Sequence, residues 1–209
     1  MSPENVVVQQ PQGQAEQLVL LFHGVGDNPV SMGEIGRYFI ASFPHALIVS
    51  IGSPFACDLG QGRQWFSVQG VTEHNRHQRI AESMPLFVKT VRDWQQRSGV
   101  KPADTVLIGF SQGSIMSLES TKVEQNLAGR IVSFSGRFAS LPETAIGAET
   151  KIHFIHGQSD PVIAANNAVI AAKRLQELGN ACTLDLAPKV AHGISPQMID
   201  AAISRLKAD

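Results

Sequence analysis

Cysteine is nearly missing: Cys57 and Cys182 are the only two among 209 residues, too few for a disulfide framework and without close metal-ligand spacing. Reduced or buried thiols in a cytoplasmic protein fit that count. Neither charge sign dominates, since 17 Lys and Arg against 18 Asp and Glu give a formal net charge of -1. The basic excess needed to hold a phosphate backbone is missing, which argues against nucleic acid as a partner. Long hydrophobic runs are missing as well, and no segment approaches the ~18 apolar residues that span a bilayer. The start, Met1 to Gln14, has no cationic stretch followed by an apolar core, so neither membrane insertion nor export is expected. Repeats, linkers and low-complexity tracts are also missing. What remains is a chain with 43% hydrophobic residues, expected to form one domain over residues 1–209 that buries roughly 70% of its unfolded surface.

Short apolar runs recur at Val6 to Val8, Gln17 to Phe22, Ala46 to Ile51, Thr105 to Phe110, Arg130 to Phe134, Lys151 to Ile155 and Cys182 to Leu186. They read as seven strands. Helical periods lie between most of them: Met32, Ile35 and Phe39 behind a capping box from Ser31 to Glu34, then Ile80, Met84, Phe87, Val88, Val91 and Trp94. Pro85 falls inside the second period, which predicts a kink or a helix starting near it. Ala168, Ala172, Leu175 and Leu178 stop at Gly179, and Ile199, Ala202, Ile203 and Leu206 open at Ser195-Pro196. Alternation of this kind predicts an α/β fold, a mostly parallel sheet with helices on both faces.

Gly109-Phe110-Ser111-Gln112-Gly113 places a serine between a strand and a helix. A sharp strand-to-helix turn there would hold the hydroxyl clear of the sheet, as at a nucleophile elbow. The motif alone is weak; its partners decide. A serine needs a base, and in hydrolases of this architecture the acid and then the base follow the nucleophile along the chain. Asp160, in His156-Gly157-Gln158-Ser159-Asp160-Pro161, sits just past an apolar run, although an Asp before Pro is also an ordinary helix N-cap. Asp185 is the rival acid, but it falls inside a strand-like run. Of seven histidines, only His192 comes after Asp160, and it is the expected base. For the oxyanion, the Gln112 N–H should be one donor, and the loop His23-Gly24-Val25-Gly26-Asp27-Asn28 offers the Val25 N–H as a second. Pro29 breaks any dinucleotide fingerprint in that loop.

The segments LLFHGVGDN, GRQWFSVQG, LIGFSQGSIMSLES and HGQSDPVI and the histidine loop, in this order, resemble the phospholipase/carboxylesterase family of α/β hydrolases. That family includes acyl-protein thioesterases and small bacterial esterases of the YpfH type. The resemblance implies an α/β-hydrolase fold, Ser111 as nucleophile, Asp160 as acid, His192 as base, and the backbone of Val25 and Gln112 as oxyanion hole. It also places Trp65 and Phe66 beside the site as candidates for the acyl pocket wall, with core packing as their ordinary alternative. Ser67 stands where the family usually has aspartate, and Ala191 where it commonly has glycine.

His74 and His77 could share a helix face, but with no third ligand evident a solvated face is the reading, and no metal or other cofactor is expected. Cys57 is read as structural or incidental. The expectation is a serine carboxylesterase acting on short-chain acyl esters, with small-molecule substrates as partners and a monomeric or homodimeric state. A thioesterase or lysophospholipase is the alternative within the same chemistry, and a non-catalytic binding module is the alternative outside it.

Overall fold

The structure is a computed structural model that describes residues 4–208. Met1 to Pro3 lie outside it, and with them part of the stretch read for an export signal. In chain order the strands are β1 (Val6–Gln9), β2 (Gln17–Phe22), β3 (Ala46–Ile51), β4 (Phe55–Ala56), β5 (Arg63–Gln64), β6 (Thr105–Phe110), β7 (Arg130–Phe134), β8 (Lys151–Gly157) and β9 (Cys182–Ala187). The helices are α1 (Pro29–Arg37), α2 (Glu73–Ser98), α3 (Gln112–Val123), α4 (Asn166–Glu177) and α5 (Pro196–Ala208). All seven apolar runs become strands of one sheet, ordered β1-β3-β2-β6-β7-β8-β9. Only β1 is antiparallel to its neighbour. β4 and β5 form a separate antiparallel ribbon whose two-residue strands carry no periodic signal.

Burial on both faces explains why the runs are continuous rather than alternating. Leu18, Leu20 and Phe22 of β2 pack on one side against Ile80, Met84, Phe87 and Val91 of α2. Val19 and Leu21 face the other way, toward Met32 and Phe39. Helices α2, α3 and α4 cover the first face, and α1 and α5 the second. Each such side chain contributes about 1.5–3 kcal/mol by leaving water. The architecture is the α/β-hydrolase fold.

One helix start differs from expectation, and a second leaves Pro85 inside its helix rather than at its beginning. α1 begins at Pro29, not behind Ser31, because the Asn28 Oδ1 accepts from the N–H of Val30 and Ser31 at 3.0 and 3.1 Å. Asn caps well and Pro suits the first helical position, so this start outcompetes the Ser31 box. α2 begins at Glu73, held by a reciprocal capping box between Thr72 and Asn75, and continues through Pro85. Pro85 and Ala81 are both exposed, so the carbonyl that the proline leaves without a donor is on the solvent side.

α3 is buried from Gln112 through Thr121 despite its hydroxyl-rich sequence. Its hydroxyls turn back to the main chain: Ser114 donates to the carbonyls of Gly109 and Phe134, Ser117 to Gly113, and Thr121 to Leu118. Satisfied in this way, they do not carry the desolvation cost of orphaned polar groups. The connection from β7 to β8 carries no helix. Side chains supply its bonds instead, Arg174 donating to the carbonyls of Pro142 and Glu143, and Asn180 bracketing Ile146 at 3.1 Å on both sides.

Candidate active site

Ser111 stands between β6 and α3 with φ 50° and ψ -111°, a backbone state that side chains seldom occupy and that costs on the order of 1–3 kcal/mol. Close approach, not φ, is what demands glycine on either side. A Cβ at Gly109 would come within 2.4 Å of the Ser114 N, and one at Gly113 within 2.1 Å of the Phe22 carbonyl oxygen. The turn is locked by the Ser111 N–H donating to the Phe134 carbonyl and the Ile115 N–H donating to the Ser111 carbonyl, both at 3.0 Å.

Three residues distant in sequence meet at this turn. Ser111 Oγ lies 3.0 Å from His192 Nε2, and His192 Nδ1 lies 2.7 Å from Asp160 Oδ2. The ring of Phe110 backs the imidazole at 5.1 Å between centroids. Loop stitching sets the spacing: the Gln158 N–H donates to the Ala187 carbonyl and the Ser159 N–H to the Val190 carbonyl, each at 2.9 Å, tying the aspartate loop to the histidine loop. Asp160 Oδ1 meanwhile accepts from the N–H of Val162 and Ile163 at 2.8 and 2.9 Å. No helix starts at Pro161; α4 begins at Asn166, so the cap-like bonds organise a turn. Burial opposes ionisation of Asp160, but the bond from His192 and the two backbone N–H groups outweigh it and hold the carboxyl below its ordinary range.

A cavity of about 430 Å³ opens beside Ser111, with Val25, Gln112 and Phe66 in its wall. As the first residue of α3, Gln112 has an N–H without an intrahelical acceptor. Of the two aromatic candidates, only Phe66 lines this space. Trp65 is 1% exposed and packs in the core, 6.0 Å from Phe22 and 5.0 Å from Phe87 between ring centroids. Asp185, the rival acid, forms a two-pronged ion pair with Arg205 at 2.9 and 3.0 Å, joining β9 to α5. His74 and His77 are exposed on α2.

The sequence pattern of the phospholipase/carboxylesterase family matches residues 3–208. The chain belongs to that family. It is a serine hydrolase of carboxylic esters. Among its relatives, the esterase YpfH of Escherichia coli (strain K12) is 52% identical over 207 residues, which cover 99% of this chain and 89% of that one. Acyl-protein thioesterase 1 of Saccharomyces cerevisiae is 26% identical over 180 residues, 78% of each chain. The crystal structure of esterase PE8 superposes with a TM-score of 0.88 at 27% identity, covering 99% of this chain and 98% of the other.

Several groups in this member of the phospholipase/carboxylesterase family carry structure that its motifs alone do not announce. Buried His23 donates from Nδ1 to the Gly24 carbonyl at 2.7 Å, and its Nε2 accepts from the Ser53 N–H at 3.2 Å, which anchors the loop holding Val25. The Gly26 N–H donates to the Arg63 carbonyl and the Arg63 N–H to the Asp27 carbonyl, both at 2.9 Å, so β5 pins that loop from the other side. The Gln112 side chain clamps the aromatic segment, accepting from the Trp65 N–H at 2.7 Å and donating to the Phe66 carbonyl at 2.8 Å. His156 is buried beside Asp160, its Nε2 donating to the Ile163 carbonyl at 2.8 Å and lying 3.3 Å from Asp160 Oδ2. Burial lowers its affinity for a proton, so it is a neutral neighbour rather than an ion-pair partner. Their common signal is a polar side chain next to a motif glycine or serine.

Proposed function

We propose that the protein is a carboxylesterase for short-chain acyl esters, with Ser111 as nucleophile, His192 as general base and acid, and Asp160 as the residue that orients the imidazole. The observation that carries this reading is the continuous path from Asp160 Oδ2 through His192 to Ser111 Oγ at 2.7 and 3.0 Å. His192 takes the hydroxyl proton as Ser111 attacks the ester carbonyl, and the N–H groups of Val25 and Gln112 receive the developing oxyanion. His192 then protonates the leaving alcohol, and a water activated by the same ring hydrolyses the acyl-enzyme. A cavity of about 430 Å³ is at the small end of ligand sites. Arg76 and Arg137 in its wall disfavour long alkyl chains, which would desolvate charge without replacing its hydrogen bonds. Both cysteines carry free thiols, which supports the cytoplasmic placement. Ser111→Ala should lower kcat by at least ~10³-fold with the melting temperature little changed, and should abolish covalent labelling by a fluorophosphonate. Near-normal turnover in that variant rejects the assignment. A thioester substrate is the second reading, favoured by the likeness to yeast acyl-protein thioesterase 1, and rates on matched oxygen and thiol esters separate the two.

A further inference from the structure

Arg76 on α2 and Arg137 on the β7–β8 connection both enter the wall of the cavity that holds Ser111. A single carboxylate lies between them. Glu73 Oε1 accepts from Arg76 Nη2 at 3.1 Å, and Glu73 Oε2 accepts from Arg137 Nη2 at 2.6 Å. Two positive groups against one negative group leave one positive charge over, and no Asp or Glu stands among the lining residues. Much of the remaining wall is apolar, with Phe66, Val68, Ile115 and Ile163. Guanidinium groups are retained in such surroundings where an anion can complete them, and their planar donors suit carboxylates, as their sharing of Glu73 already illustrates.

The cavity also has a direction. Its wall contains Ser111 and both proposed oxyanion donors but not His192, the group that must give its proton to the departing alcohol. It therefore receives the acyl half of the ester rather than the alcohol half.

We propose that the acyl group taken by this site ends in a carboxylate held by Arg76 and Arg137, so that the substrates are half-esters of dicarboxylic acids. The proposal rests on Ser111 as nucleophile. Ser111 Oγ forms the new bond to the acyl carbon, the bond to the alcohol breaks, and the alcohol leaves with the proton that His192 removed from the serine. Water then adds to the acyl carbon, releasing the dicarboxylate and restoring the serine hydroxyl.

The test compares kcat/KM for 4-nitrophenyl hemiadipate with that for 4-nitrophenyl hexanoate, which has the same chain length without the charge. The wild-type protein should prefer the hemiadipate, and the anionic-to-neutral ratio should fall by roughly 10-fold or more in Arg76→Gln and in Arg137→Gln, as for loss of a charge-assisted bond. Should either variant fold poorly, the wild-type protein still decides. Its preference should shrink near 1 M salt, where the screening length drops to about 3 Å, and free adipate should compete with the neutral ester. A wild-type ratio at or below unity overturns the proposal, as does a ratio unmoved in folded variants. Preference for 4-acetoxybenzoate over phenyl acetate, without preference for the hemiadipate, moves the anion to the alcohol half and overturns the acyl assignment. Failure to hydrolyse any of these esters, together with failure to bind a fluorophosphonate, removes the Ser111 reading itself. Turnover of the neutral ester without any anionic preference removes only this proposal.

Discussion

Replacing Gln112 with alanine removes a side chain while leaving in place the main-chain N–H proposed for the oxyanion. The side chain accepts from the Trp65 N–H and donates to the Phe66 carbonyl at 2.7 and 2.8 Å, and both bonds are buried. Truncation leaves one buried donor and one buried acceptor on adjacent residues without partners, at about 1–3 kcal/mol for each. With some recovery through water, stability should fall by about 2–4 kcal/mol, which for a chain of this size lowers Tm by roughly 4–16 °C. Scanning calorimetry on wild type and variant reads this directly. Phe66 lines the cavity beside Ser111, so KM for a neutral ester should rise as its segment loosens. Gln112→Glu serves as a control, because it keeps an acceptor for Trp65 but turns a second oxygen toward the Phe66 carbonyl. That repulsion raises the folded-state pKa of the new carboxyl, so the penalty holds above that pKa and is relieved as the pH falls through it. A Gln112→Ala protein melting within about 1 °C of wild type would refute the reasoning, since no clamp of this kind could then be contributing.

Gly113→Ala would place a methyl group 2.1 Å from the Phe22 carbonyl oxygen, a main-chain atom at the end of β2. A loss of about 1–3 kcal/mol or more is expected from overpacking, together with loss of turnover; an unchanged urea midpoint would count against the close-packed elbow. Acid sensitivity follows from His23 and His156, whose folded-state pKa values are both lowered by burial from the ordinary 6.5. The unfolded chain binds their protons first, so stability is level above 6.5 and declines as the pH falls below it, by up to ~1.4 kcal/mol per unit for each ring. Melting curves from pH 8 to pH 5 check this, and a transition that stays constant or rises toward pH 5 contradicts it.

The sheet was legible because parallel strands buried on both faces leave unbroken apolar runs, and Leu18 to Phe22 is a clear example. The ribbon of β4 and β5 was not, since two residues per strand leave no period to detect. Ser31 and Asn28 both had the chemistry of a helix cap, and local geometry, with Pro29 at the first helical position, favoured the earlier one. Within the site, chain order singled out Asp160 and His192, and these side chains lie within hydrogen-bond distance of one another. Order could say nothing about Arg76, Glu73 and Arg137, which come together only because α2 packs beside the turn that follows β7. Trp65 and Phe66 are neighbours in sequence, yet one faces the core and the other the cavity. The Gln112 side chain bonds to both residues, a link between two separate motifs that neither motif states.

The helix-free passage between β7 and β8 has a consequence for how such a chain can diversify. A helix must be altered in register with its period, whereas a stretch held by side-chain bonds from Arg174 and Asn180 can be edited one residue at a time. Arg137 belongs to that stretch. The cavity wall it contributes is thus an exchangeable fitting, open to revision by mutation while the ladder of strands beneath keeps its pairing.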